Sequence, residues 1–121
     1  MVRLIESAAI IGAAGTKPKK IEEYVGRVRS GHENLSVAIM DSPEGWIEPG
    51  QKPDFEEITV VFDGVLKVEH NDGETEVRAG QAVISEPGEW VRYSSPEPGG
   101  AKYVAICLPA FAPGMAHRDP D

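Results

Sequence analysis

The sequence predicts an all-β domain, a sandwich or barrel built from short strands. Short apolar runs and turn residues alternate from residue 35 onward at intervals of about ten residues, which is typical of such folds. The 13 glycines and 10 prolines among 121 residues supply many turns, and both residue types are poorly tolerated inside helices. A chain of this length is large enough for one domain with a hydrophobic core of its own. We therefore predict a single β-domain.

Each predicted strand ends at residues that favour turns. The first ends at Asp-Ser-Pro-Glu-Gly, residues 41–45, and the second at Glu-Pro-Gly, residues 48–50. The third is a β-branched run that we predict to end at Asp63-Gly64, a strong turn dipeptide, and Asn71-Asp72-Gly73 joins the fourth and fifth as a hairpin. Turn residues also precede each of the last three strands: Ala79-Gly80, Pro87-Gly88 and residues 96–100, which are rich in proline and glycine. In order, the predicted strands cover residues 35–40, 46–47, 58–62, 65–70, 74–78, 82–85, 90–93 and 103–108.

The chain divides into three parts within this one domain. Residues 1–33 form an N-terminal segment with edge strands, residues 34–108 the barrel, and residues 109–121 a C-terminal tail. Residues 19–25 contain Ile-Glu-Glu-Tyr and fit a helix, whereas the following Gly26 and Val28 favour a strand, so both structures stay open. The tail has no hydrophobic period, and we expect it to lie across the barrel surface.

Charge and cysteine content exclude several kinds of partner. Twelve basic and 20 acidic residues give a net charge of −8, which repels phosphate backbones and anionic lipids, so we expect no nucleic-acid or membrane partner. The apolar stretch at residues 8–14 is too short to span a bilayer and lacks the layout of a signal peptide, so we expect a cytoplasmic location. Cys107 is the only cysteine and lies in an apolar run, which favours a small buried hydrophobe over a reactive thiol.

The predicted strand at residues 58–62 is apolar on both faces, with Thr59 as its only polar residue. A strand of an isolated antiparallel sheet usually has a polar outer face. The second face therefore needs cover, either from the N-terminal segment or from a second subunit. We predict a homodimer.

The spacing of glycines and one glutamate resembles a known family. Glu57 is followed, after six intervening residues, by Gly64, and Gly80 and Gly88 bracket the next predicted strand. Together with the hairpin between them, these residues resemble the two motifs of the cupin superfamily, from Gly50 to the strand at residues 90–93. The resemblance implies a jelly-roll barrel, the double-stranded β-helix, with a pocket inside it. The Glu-Glu-Ile strand and short hairpin are most similar to the small single-domain cupins of the ethanolamine-utilisation type.

This sequence departs from the cupin pattern at the metal-binding histidines. Their positions fall on Gln51, Pro53 and Val91. Proline and valine side chains carry no donor atom, and an amide oxygen is a weak ligand beside the single carboxylate of Glu57. The adjacent Glu56 points to the opposite face of the strand. We therefore expect no cofactor and no resident divalent transition metal.

Four polar side chains are candidates for a ligand-binding pocket in the barrel. The resemblance implies that Glu57 points inward, and the period of two then places Thr59 on the same face; Tyr93 and Gln51 face the same cavity. Burial would raise the pKa of Glu57 and suit it to general acid–base catalysis. The alternative is a vestigial carboxylate that Tyr93 or Gln51 satisfies with hydrogen bonds, and the sequence does not decide between the two.

The histidines and the lysine-rich segment give weaker signals. The three histidines are too far apart in sequence to suggest a ligand set. His117 is a candidate ligand-binding residue if the tail folds over the pocket mouth, although an exposed, frayed tail is the preferred interpretation. The segment with Lys17, Lys19 and Lys20 is interpreted as a solvated connection with local charge pairs rather than as an anion site.

These observations favour a metal-independent barrel that binds a small polar metabolite, with Glu57 and Gln51 as the main contacts. One alternative is an isomerase or lyase of small molecules with Glu57 as the catalytic general acid or base. A second alternative is a structural dimer module whose barrel is filled by side chains. The fold does not choose among them, because barrels of this type support many functions.

Overall fold

The computed structural model describes residues 1–120, which consist almost entirely of β-strands. Within that range the helical structure is a single 3-10 turn, Pro113–Met115, and no helix there has the length and hydropathy needed to cross a membrane. The strands are β1 (Ala9–Ile11), β2 (Lys20–Val25), β3 (Ser36–Ser42), β4 (Trp46–Ile47), β5 (Glu56–His70), β6 (Gly73–Arg78), β7 (Ala82–Ser85), β8 (Val91–Ser95) and β9 (Ala101–Leu108).

The strands form two antiparallel sheets that share the 15-residue strand β5. The first sheet has the order β1-β2-β3-β9-β5-β7. The second has the order β6-β5-β8-β4. The first half of β5 thus belongs to one sheet and the second half to the other, so the sheets curl into the predicted jelly-roll barrel.

Strand β5 corrects one prediction from the sequence. Asp63-Gly64 does not end a strand, since pairing with β9 continues to Gly64 opposite Ala101, with a register shift between Val61 and Asp63. Gly64 has a φ of 78°, and a Cβ at this position would collide with the carbonyl oxygen of Gly100. The dipeptide therefore follows a β-bulge at Phe62 and continues the strand, and the bulge together with the glycine bends β5 from one sheet into the other.

The other local predictions have mixed outcomes. The segment left open between helix and strand is β2, which pairs with β1 on one side and β3 on the other. The predicted hairpin is confirmed as β5–β6, with Val65 opposite Arg78 and His70 opposite Gly73.

The core fills one end of the barrel and leaves space at the other. Large side chains from the second sheet and its surroundings pack together, and they include Trp46, Leu66, Val68, Val77, Val91, Tyr93 and Tyr103. At the other end, β3 and β9 turn small side chains inward, namely Ser36, Ala38, Ala105 and Cys107. These side chains cannot fill the space between the sheets, so a cavity remains. Cys107 is buried as predicted, and burial raises the pKa of its thiol.

The outer face of the first sheet carries exposed apolar side chains. Val60, Phe62 and Ile84 are 39%, 49% and 62% exposed. The N-terminal strands do not cover this face, because β1 and β2 extend the sheet at its edge instead. Of the two forms of cover that the sequence suggested, cover by the N-terminal segment is therefore wrong.

The C-terminal tail lies along residues 50–54 and is held by main-chain hydrogen bonds. Asp119 N–H donates to the carbonyl oxygen of Gly50 at 2.7 Å, and Asp54 N–H donates to that of Met115 at 2.9 Å. A further bridge joins Arg118 to Gln51. Up to residue 120 the tail therefore crosses the barrel surface as expected. Residues 117–120 are exposed, as the preferred interpretation has it, but main-chain hydrogen bonds hold them in place.

Candidate functional site

The space between the sheets is a cavity of about 70 Å³ whose walls are mainly apolar and whose polar groups converge from different strands. Trp46, Phe55 and Phe111 provide large aromatic surfaces. The polar side chains that line it are Lys19, Glu23, Ser36, Glu48, Gln51, Glu57, Thr59, Tyr93, Tyr103 and Arg118. A mostly apolar cavity with a few convergent polar groups is the usual form of a small-molecule site.

Four of the five residues named from the sequence line this cavity: Gln51, Glu57, Thr59 and Tyr93. The fifth, His117, does not line it. Its Nε2 lies 2.7 Å from Asp54 Oδ2, and the side chains of both residues are more than half exposed. The tail does reach the cavity, but through Arg118. His117 has a φ of 50°, and its side chain is directed to Asp54 instead.

Glu57 lies on the inward face of β5 with its carboxyl group enclosed by the cavity walls. Its Oε1 is buried and has no hydrogen-bond partner among residues 1–120. Burial raises the pKa of this carboxyl group, against the opposing effects of the Lys19 ammonium and the Tyr93 hydroxyl. The direction is the one expected from the sequence. The Tyr93 hydroxyl hydrogen-bonds to this carboxyl group, and Oε1 stays without a protein partner in the described part of the chain.

Lys19 is the main correction to the sequence analysis. Its Nζ donates a hydrogen bond to Tyr103 Oη at 2.6 Å and lies 4.0 Å from the centroid of the Trp46 ring. Burial lowers its pKa from 10.5 to about 8, although the carboxylates of Glu48 and Glu57 act in the opposite direction. The cation is thus inside the barrel rather than in a solvated connection.

The neighbouring lysines do follow the prediction. Lys20 Nζ lies 3.6 Å from the carboxylate of Glu22, and Lys17 Nζ donates to the carbonyl oxygen of Glu44 at 2.7 Å. The alternation of residues along a strand would have indicated that Lys19 points inward, because Lys19 precedes β2 by one residue and shares a face with Ile21. An assignment of residues 19–25 as a strand would have placed Lys19 inside.

Glu48 is a second cavity residue that the sequence analysis missed. Its Oε1 accepts a hydrogen bond from Tyr93 N–H at 3.2 Å. Burial raises its pKa to about 7; the Lys19 ammonium opposes this rise, and the carboxylate of Glu57 adds to it. Glu-Pro-Gly was interpreted only as a turn, yet Glu48 is two residues from the buried Trp46, with the exposed Ile47 between them. That alternation was the available signal.

The residues at the cupin metal positions do not fit a divalent transition metal. Gln51 and Val91 face each other in a β-bridge, so the two motif positions do meet at the cavity, but valine offers no donor. Within residues 1–120, His, Cys, Asp and Glu form no group of three suited to a metal ion. The ammonium of Lys19 also interacts with the carboxylates of Glu48 and Glu57. It therefore balances the negative charge that a metal cation would otherwise balance.

Comparison with known proteins identifies the family. A family model described as the AraC-like ligand binding domain matches residues 44–119, which is more than half of the chain. The chain belongs to this family. This AraC-like domain therefore has a cupin-type ligand-binding fold, and the matched segment contains most of the cavity walls, including Glu48, Gln51, Glu57 and Arg118.

Solved structures show the same fold. The polyketide cyclase RemF of Streptomyces resistomycificus superimposes with a TM-score of 0.77 at 15% identity and covers 100% of this chain and 87% of its own. EutQ of Clostridium difficile gives a TM-score of 0.65 at 17% identity over 84% and 73% of the two chains. Oxalate decarboxylase of Bacillus subtilis gives 0.73 at 17% identity over 94% and 30%. At these identities the likeness concerns the fold alone, and it confirms the small-cupin resemblance.

One curated protein is similar in sequence to this AraC-like domain. The endoribonuclease YbeY of Myxococcus xanthus is 36% identical over 101 residues, which cover 84% of this chain and 34% of that protein. The chain thus spans about a third of the relative's length. The name endoribonuclease describes the whole relative, and this chain matches only about a third of it.

Proposed function

We propose that this domain binds a small polar metabolite in the barrel cavity without a metal ion, with Glu57 and Gln51 as the main contacts. The observation that supports the proposal is the buried, unpartnered Oε1 of Glu57. A buried polar atom without a partner costs roughly 1–3 kcal/mol, which a ligand that hydrogen-bonds to it recovers. The mainly apolar walls then provide contact area for the rest of the ligand.

The cavity limits the size of that ligand. Its volume is about 70 Å³, and each water molecule needs at least roughly 10–15 Å³ measured in this way. The ligand is therefore of the size of a few water molecules, a compound with only a handful of non-hydrogen atoms. This open space also argues against a barrel filled by side chains.

The second candidate is an isomerase or lyase acting on a small molecule. It is favoured by the pKa of about 7 that burial gives Glu48, because a group that titrates near the working pH both gives and takes protons efficiently. Glu57, whose pKa is also raised, would be the partner acid or base. Turnover of a bound ligand separates this candidate from simple binding.

A thermal-shift screen of small carboxylic acids and sugars, followed by calorimetry on the compounds that stabilise the protein, tests the proposal. Glu57→Gln keeps the side-chain shape and replaces the carboxyl group with an amide, and we expect it to weaken binding by roughly tenfold or more, because an amide is the weaker hydrogen-bond partner for a polar ligand. Glu56→Gln, on the opposite face of the same strand, is the matched control and should leave affinity unchanged. Equal affinities for all three proteins would exclude Glu57 as the main contact.

We also propose that the exposed apolar face of the first sheet is covered by a second copy of the chain. Apolar side chains this exposed on neighbouring strands favour association, and light scattering should give twice the 13.1 kDa mass of the chain. Ile84→Asp should yield monomers, because it buries a charge in the interface. Ile47→Asp, at an exposed apolar residue of the second sheet, should leave the mass unchanged. A monomer mass for the unaltered chain at micromolar concentration would contradict the dimer.

A further inference from the structure

Lys19 supplies an amine to the cavity in a fixed position. Its Nζ is held by the Tyr103 hydroxyl at 2.6 Å, and that hydroxyl also lies 2.9 Å from Ser42 Oγ. The ring of Trp46 covers it from one side, with Nζ 4.0 Å from the ring centroid. Three carboxyl groups, those of Glu23, Glu48 and Glu57, line the same enclosure, and Glu23 already accepts hydrogen bonds from the main-chain N–H groups of Val28 and Arg29. The amine thus shares one enclosure with proton-donating and proton-accepting groups.

We propose that Lys19 is a nucleophile that captures a small aldehyde or ketone in the cavity as an imine. This inference rests on the proposed ligand-binding function and names its ligand class, a carbonyl compound of a few non-hydrogen atoms.

The capture step balances with groups already present in the cavity. The lone pair of the neutral amine attacks the carbonyl carbon, a C–N bond forms, and the C=O π pair moves to the oxygen, which takes a proton from a protonated carboxyl group. The nitrogen of the carbinolamine returns one proton to a carboxylate, and the oxygen receives a second proton and leaves as water. The resulting iminium then gives up its remaining N–H proton, so the two protons taken up by oxygen equal the two lost by nitrogen. The net change is carbonyl plus amine to imine plus water, with no oxidation or reduction. Glu48 and Glu57 are the proton donors and acceptors, since both carboxyl groups lie near enough to the ammonium to act on it electrostatically.

The surroundings of Lys19 make the reaction selective for this lysine. With a pKa of about 8, roughly a tenth of the side chain is the neutral, nucleophilic amine at pH 7, whereas an ordinary lysine is neutral well below one part in a thousand. The hydrogen bond from Nζ to the Tyr103 hydroxyl at 2.6 Å holds the nitrogen inside the cavity. The aromatic walls of Trp46, Phe55 and Phe111 limit the water that hydrolyses an imine.

Reductive trapping tests the proposal on the intact chain. The protein is incubated at pH 7 with acetaldehyde, or in parallel with pyruvate, in the presence of cyanoborohydride, and the products are followed by intact mass. Fragmentation of the peptide with residues 17–20 then assigns the adduct. Within this peptide we expect one N-ethyl group from acetaldehyde, on Lys19, formed roughly tenfold or more faster than on Lys20, whatever the labelling of the N-terminal amine. Adducts that form on Lys17, Lys19 and Lys20 at equal rates would overturn the proposal.

Two conservative variants separate the cavity amine from its neighbours. Lys19→Arg keeps the positive charge and removes the nucleophile, so it should abolish the fast adduct while the thermal unfolding profile stays cooperative. Lys20→Arg alters the exposed neighbour and should leave the fast adduct unchanged. Fast labelling that persists in Lys19→Arg would overturn the assignment.

The imine and the binding function fail in different ways. If small acids or sugars bind in a Glu57-dependent manner but neither carbonyl probe is trapped on Lys19, the imine is wrong and the proposed function stands. If neither reversible ligands nor carbonyl probes engage the cavity, both are wrong. Trapping that slows in Glu57→Gln supports both together.

Discussion

Raising the pH from 5 to 8 is expected to lower the free energy of unfolding by on the order of 3 kcal/mol. Burial raises the pKa of Glu48 from 4.5 to about 7, so between these values the folded chain binds more protons than the unfolded chain. Stability is therefore highest near the lower value and falls as the pH rises through the upper one. Urea denaturation at a series of pH values measures the effect.

Neighbouring groups shape this pH profile. Glu57 adds to the fall, because burial raises its pKa as well. Lys19 affects the free energy of unfolding in the opposite direction. Its pKa is lowered to about 8, so as the pH rises through that value the unfolded chain binds more protons than the folded chain and stability recovers. The profile should have a minimum between pH 7 and 8. Glu48→Gln should remove most of the fall, whereas Glu56→Gln should keep it. A flat profile for the unaltered chain would show that the carboxyl groups are solvated.

Gly64→Ala is expected to lower the free energy of unfolding by roughly 3 kcal/mol or more, or to prevent folding. The residue has a φ of 78°, and a methyl group there would overlap the carbonyl oxygen of Gly100. Because that oxygen belongs to the main chain next to β9, neither partner can rotate away. Urea denaturation followed by the fluorescence of the buried Trp46 provides the measurement.

Gly80→Ala is the matched control for this substitution. Gly80 has a similar φ of 88°, but a Cβ there would meet no atom within 4 Å. Its replacement should cost only the roughly 1–2 kcal/mol of a left-handed alanine. The difference between the two variants therefore isolates the steric collision. Equal losses would mean that β5 can bend without a glycine at the bulge.

The fold and part of the site could be read from local sequence patterns. The hairpin around Asn71-Asp72-Gly73 depends on residues close together in sequence, and it was predicted correctly. The inward face of β5 follows from the period of two once Glu57 is placed by its motif. For this reason the sequence predicts Glu57, Thr59, Gln51 and Tyr93 as cavity residues.

The remaining cavity residues depend on contacts that are distant in sequence. Lys19 enters the barrel because β2 pairs with β3 and so turns one face inward, whereas its charged neighbours make the segment look solvated. Arg118 reaches the cavity because main-chain bonds align the tail with residues 50–54, and main-chain bonds leave no pattern in the side chains. The bulge next to Asp63-Gly64 likewise depends on the close approach of Gly64 to Gly100. From the dipeptide alone, this bulge cannot be distinguished from a turn.

The central position of β9 also determines when the protein can fold during synthesis. This strand pairs with β3 on one side and with β5 on the other, so the first sheet has a gap in its middle until residues 101–108 have left the ribosome. Before that point the nascent chain exposes two unpaired strand edges and the apolar lining of the barrel. Such surfaces bind chaperones and promote aggregation. Pauses in translation late in this segment should therefore reduce the yield of soluble protein more than pauses early in the chain.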